Sequence, residues 1–400
     1  MALDIDAVRA AYPALTQGFC HFDGAAGTLV AAPVSAAVAG VLSDAVANRT
    51  TAFEPGRRSV RIVEEARSAV ADLLGGVPEG VAFGSSATSL TYIVSRTLSQ
   101  HWGPGDEIVV SRLDHDANVR PWVQAAQRTG ATLRWAEFDR ETGALPAEAF
   151  ASQITDRTKL VAVTAASNAI GTRPDVPAIA AKAHEAGALC YVDGVHATPH
   201  QPTDVAALGC DFYVTSAYKW SGPHLAACIA DPALWEGMRP EKLMPSDDAV
   251  PERFEFGTPS FELLAGVTAA VDHLATLAGP RTGTRREDLV RSLSAAREYE
   301  TALFDRLIKE LAQIPGLRMQ PAPADRAPTV AFRVGDQHPD ATSEALGEKG
   351  VCVFSGDYYA YEYFTAVGLR DSGGAVRASV YHYTSEGDVD RLLDSLRRVV

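Results

Sequence analysis

The chain has 400 residues, of which 46% are hydrophobic and 22% are charged. These proportions are typical of a folded globular protein and exclude collagen-like, coiled-coil and largely disordered classes. Fifty acidic against 36 basic residues give a formal net charge of −14. This charge disfavours general binding to nucleic acid, because a negative surface repels polyphosphate at long range.

The sequence has no signal for a membrane span, for secretion or for a disulfide framework. No apolar run reaches the roughly 20 residues that a membrane-spanning helix needs. The acidic stretch from Met1 to Asp6 lacks the basic and apolar regions of a signal peptide. The five cysteines form no C-x-x-C pair, which argues against a disulfide framework and against a structural zinc site. We therefore expect a cytoplasmic protein with no membrane partner and no metal.

Residues 81–230 alternate short β-rich runs with helical runs. The predicted strands are 81–83, 108–113, 133–138, 160–166, 189–192, 212–215 and 226–229. A helix is predicted over residues 176–186, with Asp175 as its N-cap and Gly187 just past its end. Nearly continuous apolar strands separated by helices predict a mainly parallel sheet with helices on both faces.

Two stretches rich in proline, glycine and charge, 239–260 and 279–287, interrupt this pattern. The second introduces a long predicted helix that reaches about residue 312. Predicted strands follow at 329–334, 351–354 and 376–380, and a last helix begins at Gly387. We therefore predict three parts: an N-terminal segment, 1–15, that packs with either domain, a large domain, 16–278, and a smaller C-terminal α+β domain, 279–400.

Polar side chains follow five of the predicted strands at the point where each strand ends. Ligands of parallel α/β sheets bind beyond the carboxyl ends of the strands, so these side chains are candidates for one shared site. They are Ser85, Ser86, His115, Asn168, Asp193, His196, Ser216, Tyr218 and Lys219.

The same residues also suit ordinary structural roles. Ser85 and Ser86 are good helix caps, and most lysines are solvated. Lys219, however, follows an apolar strand, and a buried lysine has a lowered pKa that makes it a nucleophilic amine. A metal site built on His196 and His200 is disfavoured, because Pro199 breaks the helix that would place both on one face.

A lysine, a carboxylate, an imidazole and a phosphate cradle together suit one cofactor, pyridoxal 5'-phosphate (PLP). PLP needs a Schiff-base lysine, an acid beside its pyridine nitrogen and an anion site. We assign these roles to Lys219, to Asp193, and to Ser85 and Ser86. The two serines open a helix, where exposed N–H groups and the helix dipole attract a phosphate.

A series of segments in chain order resembles the class V aminotransferase family of fold-type I PLP enzymes, most closely its cysteine-desulfurase-like branch. The segments are FDGAAGT (22–28), GSS (84–86), DHDAN (114–118), SNAIGT (167–172), DGVH (193–196), SAYKWSGP (216–223), FGTP (256–259) and VRAS (376–379). The resemblance implies a fold-type I α/β architecture, with a mainly parallel sheet between helices and a smaller α+β domain. It also implies a small amino-acid substrate and a homodimer with a shared active site.

The resemblance further implies roles for individual residues. Lys219, Asp193 and His115 would be the catalytic residues, with His115 stacked on the cofactor ring. Arg377 would clamp the substrate carboxylate. The other implied positions are His196, Ser216, Tyr218 and Thr258 for the cofactor, with Thr258 acting from a second subunit, and Ala26, Asn168 and Tyr359 for the substrate.

Three departures from the family pattern bear on the reaction. His196 replaces a glutamine, Tyr218 replaces a phosphate-binding histidine, and Tyr359 stands in the loop 354–360 where desulfurases have a persulfide-forming cysteine. Cys352 lies seven residues earlier, in an apolar strand of the core. We therefore predict a PLP enzyme acting at the α-carbon of an amino acid, a C–S lyase or related elimination enzyme. The alternatives are an aminotransferase or epimerase, a true cysteine desulfurase, and a non-catalytic scaffold.

Overall fold

The secondary structure is described for residues 3–399 by a computed structural model. The strands are β1 (Cys20–His21), β2 (Val81–Gly84), β3 (Glu107–Ser111), β4 (Thr132–Ala136), β5 (Thr158–Thr164), β6 (Leu189–Asp193), β7 (Phe212–Ser216), β8 (Ala226–Ala230), β9 (Leu317–Met319), β10 (Thr329–Val334), β11 (Val351–Cys352), β12 (Phe354–Gly356) and β13 (Ala375–Ser379). The α-helices are α1 (Ile5–Ala10), α2 (Ala32–Ser43), α3 (Glu54–Leu74), α4 (Ala87–Leu98), α5 (Arg120–Thr129), α6 (Ala147–Ala151), α7 (Val176–Glu185), α8 (Val205–Leu208), α9 (Pro232–Glu236), α10 (Phe261–Ala275), α11 (Arg285–Leu311), α12 (Pro339–Gly347), α13 (Tyr361–Ala366) and α14 (Glu386–Leu396).

The central sheet has seven strands in the order β2-β8-β7-β6-β5-β3-β4. Strand β8 runs antiparallel to both of its neighbours, and the other pairs are parallel. All seven predicted strands lie in this sheet, so the predicted fold class is confirmed. The predicted strands at 108–113, 133–138 and 160–166 each end two residues too late. The apolar residues beyond the true strand ends, such as Leu113 and Phe138, are buried in loops instead.

Alternate strand residues face two different apolar clusters, which places helices on both sides of the sheet. Val109 packs in the cluster that contains residues of α3, α10 and α11. Its neighbours Ile108 and Val110 pack on the opposite face with Trp122 of α5 and Leu90 of α4. Burial on both faces explains why these strands read as continuous apolar runs.

The helices begin and end where the local sequence supports them. Helix α7 has the predicted N-cap, since the carboxylate of Asp175 accepts a hydrogen bond from the N–H of Ala178 at 3.1 Å. Gly187, just past its end, has a φ of +75°, a conformation that costs glycine little. The long helix α11 opens with a capping box between Thr284 and Glu287.

The C-terminal part forms a four-stranded antiparallel sheet in the order β12-β13-β10-β9. The single strand predicted at 351–354 is wrong. Val351–Cys352 pairs in parallel with Cys20–His21, whereas Phe354–Gly356 joins β13. Phe22 is fully buried in the C-terminal apolar cluster. The domain boundaries near residues 15 and 278 stay predictions.

Among the described residues, no helix combines the length and the apolar character that crossing a lipid bilayer requires.

Candidate active site

The carboxyl ends of five strands of the central sheet share one edge. Strand β2 runs parallel to β7, because β8 is antiparallel to both. Asp193 and Ser216 are the last residues of β6 and β7, and His115 and Asn168 lie in the loops after β3 and β5. A short helical turn, Ala217–Lys219, follows β7 directly and places Lys219 at the same edge of the sheet.

A cavity at this edge, here called the inner chamber, brings most of the predicted cofactor residues together. Its predicted members are Ser86, His115, Asn168, Asp193, His196, Ser216, Tyr218 and Lys219. The structure therefore places the side chains from the ends of five strands around one space.

Lys219 is buried, with 6% of the residue exposed. Its Nζ donates a hydrogen bond to the carbonyl of Ala25. Burial, and then the positive charge of Arg377, lower the pKa of Lys219 to about 7, although Asp193 and Asp23 oppose this shift. A large fraction of the amine is therefore neutral and nucleophilic near neutral pH.

Burial also shifts the pKa values of Asp193 and His115 in the inner chamber. It raises the pKa of Asp193 to about 6, against the opposing effects of the Val195 N–H hydrogen bond and the charge of Lys219. Burial, then Lys219, then Arg377 lower the pKa of His115 to about 3. The imidazole is thus neutral, and its Nδ1 accepts a hydrogen bond from the N–H of Ala117 at 3.0 Å.

Ser86 begins helix α4 at the wall of the inner chamber. Its Oγ accepts from the N–H of Ser89 at 3.0 Å, so Ser86 is a helix cap. An anion can still bind at this end of α4, because the N–H groups of the first helical turn have no partner within the helix. Ala87 and Thr88 belong to that turn and also line the chamber.

A second cavity, the outer chamber, joins the first at Lys219 and His115. It has a volume of about 450 Å³, and all four predicted substrate residues line it, namely Ala26, Asn168, Tyr359 and Arg377.

Arg377 is fixed in the wall of the outer chamber, with 2% of the residue exposed. Its Nη1 donates to the carbonyl of Asn168 at 2.9 Å, and its Nη2 lies 3.5 Å from the carboxylate of Asp23. The ring of Tyr358 packs against the guanidinium at 4.5 Å. These contacts hold the buried guanidinium of Arg377 at the wall of the outer chamber, where it can bind the carboxylate of a ligand.

Ser85 and Thr258 line neither chamber. They lie together in an adjoining cavity beside Phe256. The buried pair of Arg67 and Glu255, 2.8 Å apart, anchors this region, because Glu255 also accepts from the N–H of Phe83 at 2.8 Å. In the described chain these two predicted phosphate residues are therefore separate from the other cofactor residues.

A model of the family described as Aminotransferase class-V matches residues 20–392. The chain belongs to that family. This chain is 34% identical over 397 residues to an uncharacterized protein of Mycobacterium tuberculosis (strain CDC 1551 / Oshkosh), MT3887. The alignment covers 99% of each of the two chains. A cysteine desulfurase of Yersinia pestis bv. Antiqua (strain Angola) is 31% identical, and the alignment covers 85% of this chain and 83% of that protein.

Solved structures agree with this assignment. The cysteine desulfurase CsdA of Escherichia coli, an S-sulfonic acid form, matches with a TM-score of 0.88 and 26% identity over 100% of this chain and 99% of that one. An apo cysteine desulfurase of Thermococcus onnurineus NA1 matches with a TM-score of 0.89 and 26% identity, over 100% and 98% of the two chains. The protein is a fold-type I enzyme that depends on PLP, as class V aminotransferases and cysteine desulfurases do.

The inner chamber of this class V family member has the groups that PLP needs. The amine of Lys219 and the carboxylate of Asp193 both face it. The Nδ1 atom of His196 is buried in the chamber wall without a hydrogen-bond partner among the described residues, as a group awaiting a ligand would be. With the free N–H groups at the start of α4, this donor set fits a phosphorylated pyridine aldehyde.

Sequence reasoning missed several residues that line this class V site. Thr88 lines both chambers, and Tyr92, Asp116, Arg120 and Phe354 line the outer one. Asp116 and Phe354 lie within segments that the sequence had singled out, 114–118 and 354–360, so both could have been predicted. Tyr92 and Arg120 lie on helices α4 and α5, where no strand-end rule applies.

Proposed function

We propose that the protein is a PLP-dependent C–S lyase that acts on a cysteine derivative and makes no enzyme-bound persulfide. One observation carries this proposal: the outer chamber is lined by Tyr359, in the loop where the family resemblance leads us to expect the desulfurase cysteine. Among the described residues, no cysteine lines either chamber. A persulfide pathway needs a thiol within reach of the substrate sulfur, and an elimination does not.

Cys352 is a poor substitute for the missing thiol. It is half-buried rather than part of the core as the sequence predicted. It lies on β11, where its carbonyl accepts from the N–H of Phe22 at 2.9 Å. Burial raises the pKa of its thiol, with a contribution from Asp23. A thiol with a raised pKa is protonated at neutral pH and reacts slowly as a nucleophile.

We assign the inner chamber to the cofactor. Lys219 would hold it covalently through Nζ, Asp193 would pair with its ring nitrogen and His115 would cover its ring. His196, Ser216, Tyr218 and the start of α4 at Ser86 provide hydrogen bonds. When bound, PLP withdraws the electron pair left on the substrate α-carbon.

The outer chamber then holds and deprotonates the amino acid. Arg377 and Asn168 bind its α-carboxylate, beside Ala26. Once the amino group of the substrate has replaced it on the cofactor, the freed amine of Lys219 would accept the α-proton as a general base and return a proton to the departing sulfur. The α-C–H and β-C–S bonds break, and a carbon–carbon double bond forms. The products are a thiol and, after hydrolysis of the enamine, pyruvate and ammonia.

A homodimer would complete the phosphate site from outside the chain. Thr258 lies outside the inner chamber, next to the exposed Phe256, and we propose that this loop reaches the phosphate of a second subunit. Hybrid dimers test this arrangement. A Lys219→Ala subunit mixed with a Thr258→Ala subunit should regain activity, because one of the two sites is complete. Hybrids as inactive as their parents would contradict it.

Product analysis tests the proposed reaction. The PLP-loaded protein is incubated with L-cysteine and with S-substituted L-cysteines, and pyruvate, ammonia and alanine are measured. The lyase proposal expects pyruvate and ammonia in equal amounts. Alanine with sulfur transfer would instead establish a cysteine desulfurase, the activity in the names of several relatives. Lys219→Ala should be inactive, and Lys182→Ala, which changes an exposed lysine, should not.

The variant Tyr359→Cys tests the observation that carries the proposal. It returns a thiol to the loop, so we expect it to release alanine from L-cysteine when a reductant regenerates the thiol. A variant that folds and yields only pyruvate would show that the missing cysteine does not separate this protein from desulfurases.

A further inference from the structure

We propose that the outer chamber selects amino acids whose side chain ends in a bulky, uncharged, apolar or aromatic group. Within the lyase proposal, on which this inference rests, the substrate class is then S-aryl- or S-alkyl-substituted cysteines rather than free cysteine. The argument uses the walls of the chamber, the backbone that holds them and the balance of charge around it.

Aromatic side chains from three separate elements wall the chamber. Tyr92 comes from α4, Phe354 from β12 and Tyr359 from the loop before α13. Tyr359 and Phe354 are 73% and 45% exposed, so their rings face open space that a ligand can enter. The Tyr359 ring also stacks on His115, with 5.5 Å between the ring centroids and 22° between the planes. Such a surface favours apolar and aromatic groups.

The backbone holds Tyr359 in a conformation that few tyrosines adopt. Tyr358 and Tyr359 have φ angles of +52° and +59°, which are unfavourable for residues with a Cβ and cluster at functional sites. Two hydrogen bonds maintain this geometry. The carbonyl of Tyr358 accepts from Asn168 Nδ2 at 2.8 Å, and the carbonyl of Tyr359 accepts from the N–H of Asp116 at 2.7 Å. The backbone that carries the Tyr359 ring is therefore held at the wall of the outer chamber.

The charged groups that line the outer chamber are already paired or assigned, so a charged side chain of the substrate would find no free partner there. Arg377 is assigned to the α-carboxylate. The other guanidinium in the wall, Arg120, is already paired, 2.8 Å from Asp116 and 3.1 Å from Glu362, and Glu362 in turn also pairs with Arg112 at 2.9 Å. A carboxylate or ammonium group on the substrate side chain would lose water without gaining a free partner.

A small side chain would leave much of this space unused. The outer chamber has a volume of about 450 Å³, and a thiol or methyl group reaches only its inner end at Lys219. A larger apolar group extends between Tyr92 and Tyr359 and removes apolar surface from water, which favours binding.

Affinities of three amino acids for the PLP-loaded protein test this selection. L-alanine, L-homophenylalanine and L-glutamate share the α-ammonium and α-carboxylate groups, and none carries a sulfur leaving group. Their half-saturating concentrations are read from the change in cofactor absorbance. We expect L-homophenylalanine to bind at least roughly tenfold more tightly than L-alanine, and L-glutamate to bind no better than L-alanine. Equal affinities, or a preference for L-glutamate, would overturn the proposal.

Two variants and one control test whether Tyr359 and the pairing of Arg120 cause the preference for apolar side chains. Tyr359→Ala should lower the preference for L-homophenylalanine over L-alanine roughly tenfold, whereas Phe19→Ala, at an exposed aromatic residue outside both chambers, should leave this preference unchanged. Asp116→Asn removes one partner of Arg120 and should improve L-glutamate binding. An unaltered preference in Tyr359→Ala, or unaltered L-glutamate binding in Asp116→Asn, would contradict the argument.

The two proposals fail separately. If L-homophenylalanine binds most tightly but no S-substituted cysteine gives pyruvate, the chamber inference stands and the lyase proposal is wrong. If pyruvate forms but the three affinities are equal, the lyase proposal stands and the chamber inference is wrong.

Discussion

Replacing the buried lysine should stabilise the protein once the cofactor has been removed. The pKa of Lys219 is lowered from 10.5 to about 7, and this shift corresponds to about 5 kcal/mol against the charged amine. Burial of Lys219 therefore lowers the free energy of unfolding by about 5 kcal/mol near pH 6, where the unfolded chain keeps this lysine protonated. The loss falls to about 3 kcal/mol near pH 8 and to about 1 kcal/mol near pH 10. Lys219→Met removes this cost and leaves the carbonyl of Ala25 without its donor, at about 1–3 kcal/mol.

The direction in which the stability of the wild type changes with pH follows from the protons bound by the folded and unfolded chains. Between pH values of about 7 and 10.5 the unfolded chain binds more protons than the folded one, so the free energy of unfolding of the wild type rises with pH. We expect Lys219→Met to be about 3 kcal/mol more stable than the wild type near pH 6 and about 1 kcal/mol more stable near pH 8, with a gap that vanishes or reverses by about pH 10.

Urea unfolding across this pH range measures the gap. The control is Lys182→Met, at an exposed position paired with Glu185, which should change stability by less than about 0.5 kcal/mol at every pH. If Lys219→Met were no more stable than the wild type near pH 6, or if the gap did not shrink with pH, Lys219 would not be a buried amine with a lowered pKa.

Three further substitutions test the surroundings of the site. Arg67→Met leaves Glu255 buried without its partner and should cost about 3–5 kcal/mol in chemical denaturation, whereas the double variant with Glu255→Gln should recover part of this loss. Ser86→Ala removes a helix cap, so it should cost about 1 kcal/mol of stability and weaken the equilibrium binding of PLP. Arg377→Lys keeps the charge but loses the planar guanidinium, and should raise KM roughly tenfold with a smaller effect on kcat.

Each of these expectations can fail on its own. Full stability of Arg67→Met would show that the buried pair does not anchor the region of Thr258. Unchanged PLP binding in Ser86→Ala would remove the start of α4 from the phosphate site. A fall in kcat without a change in KM for Arg377→Lys would mean that Arg377 acts on the reaction rather than on carboxylate binding.

The central sheet was predictable because its strands are buried on both faces. Runs such as Glu107–Ser111, with every residue buried, read as strands regardless of the partners they pair with. The split of the strand predicted at 351–354 was not predictable, because its first half pairs with Cys20–His21 near the other end of the chain. A local pattern contains no information about such a distant partner.

The inner chamber was also predictable, because one rule, that ligands bind beyond strand ends, applies to Lys219, Asp193 and His115 alike. The outer chamber was predicted only in part. Arg377 and Tyr359 were found through the family resemblance, whereas Tyr92 and Arg120 lie on helices whose faces are set by tertiary packing. Ser85 and Thr258 share their separate cavity with Glu255, whose pairing with Arg67 no motif marks.

Identification of the residue that carries the cofactor tests the central claim most directly. PLP-loaded protein is reduced with borohydride, digested and analysed by mass spectrometry. The structure predicts that the pyridoxyl group is found on the peptide that contains Lys219, and that an Asp193→Asn variant carries it at the same place with an altered absorbance. A pyridoxyl group on another lysine, or a Lys219→Ala variant that is still labelled to the same extent, would contradict the account.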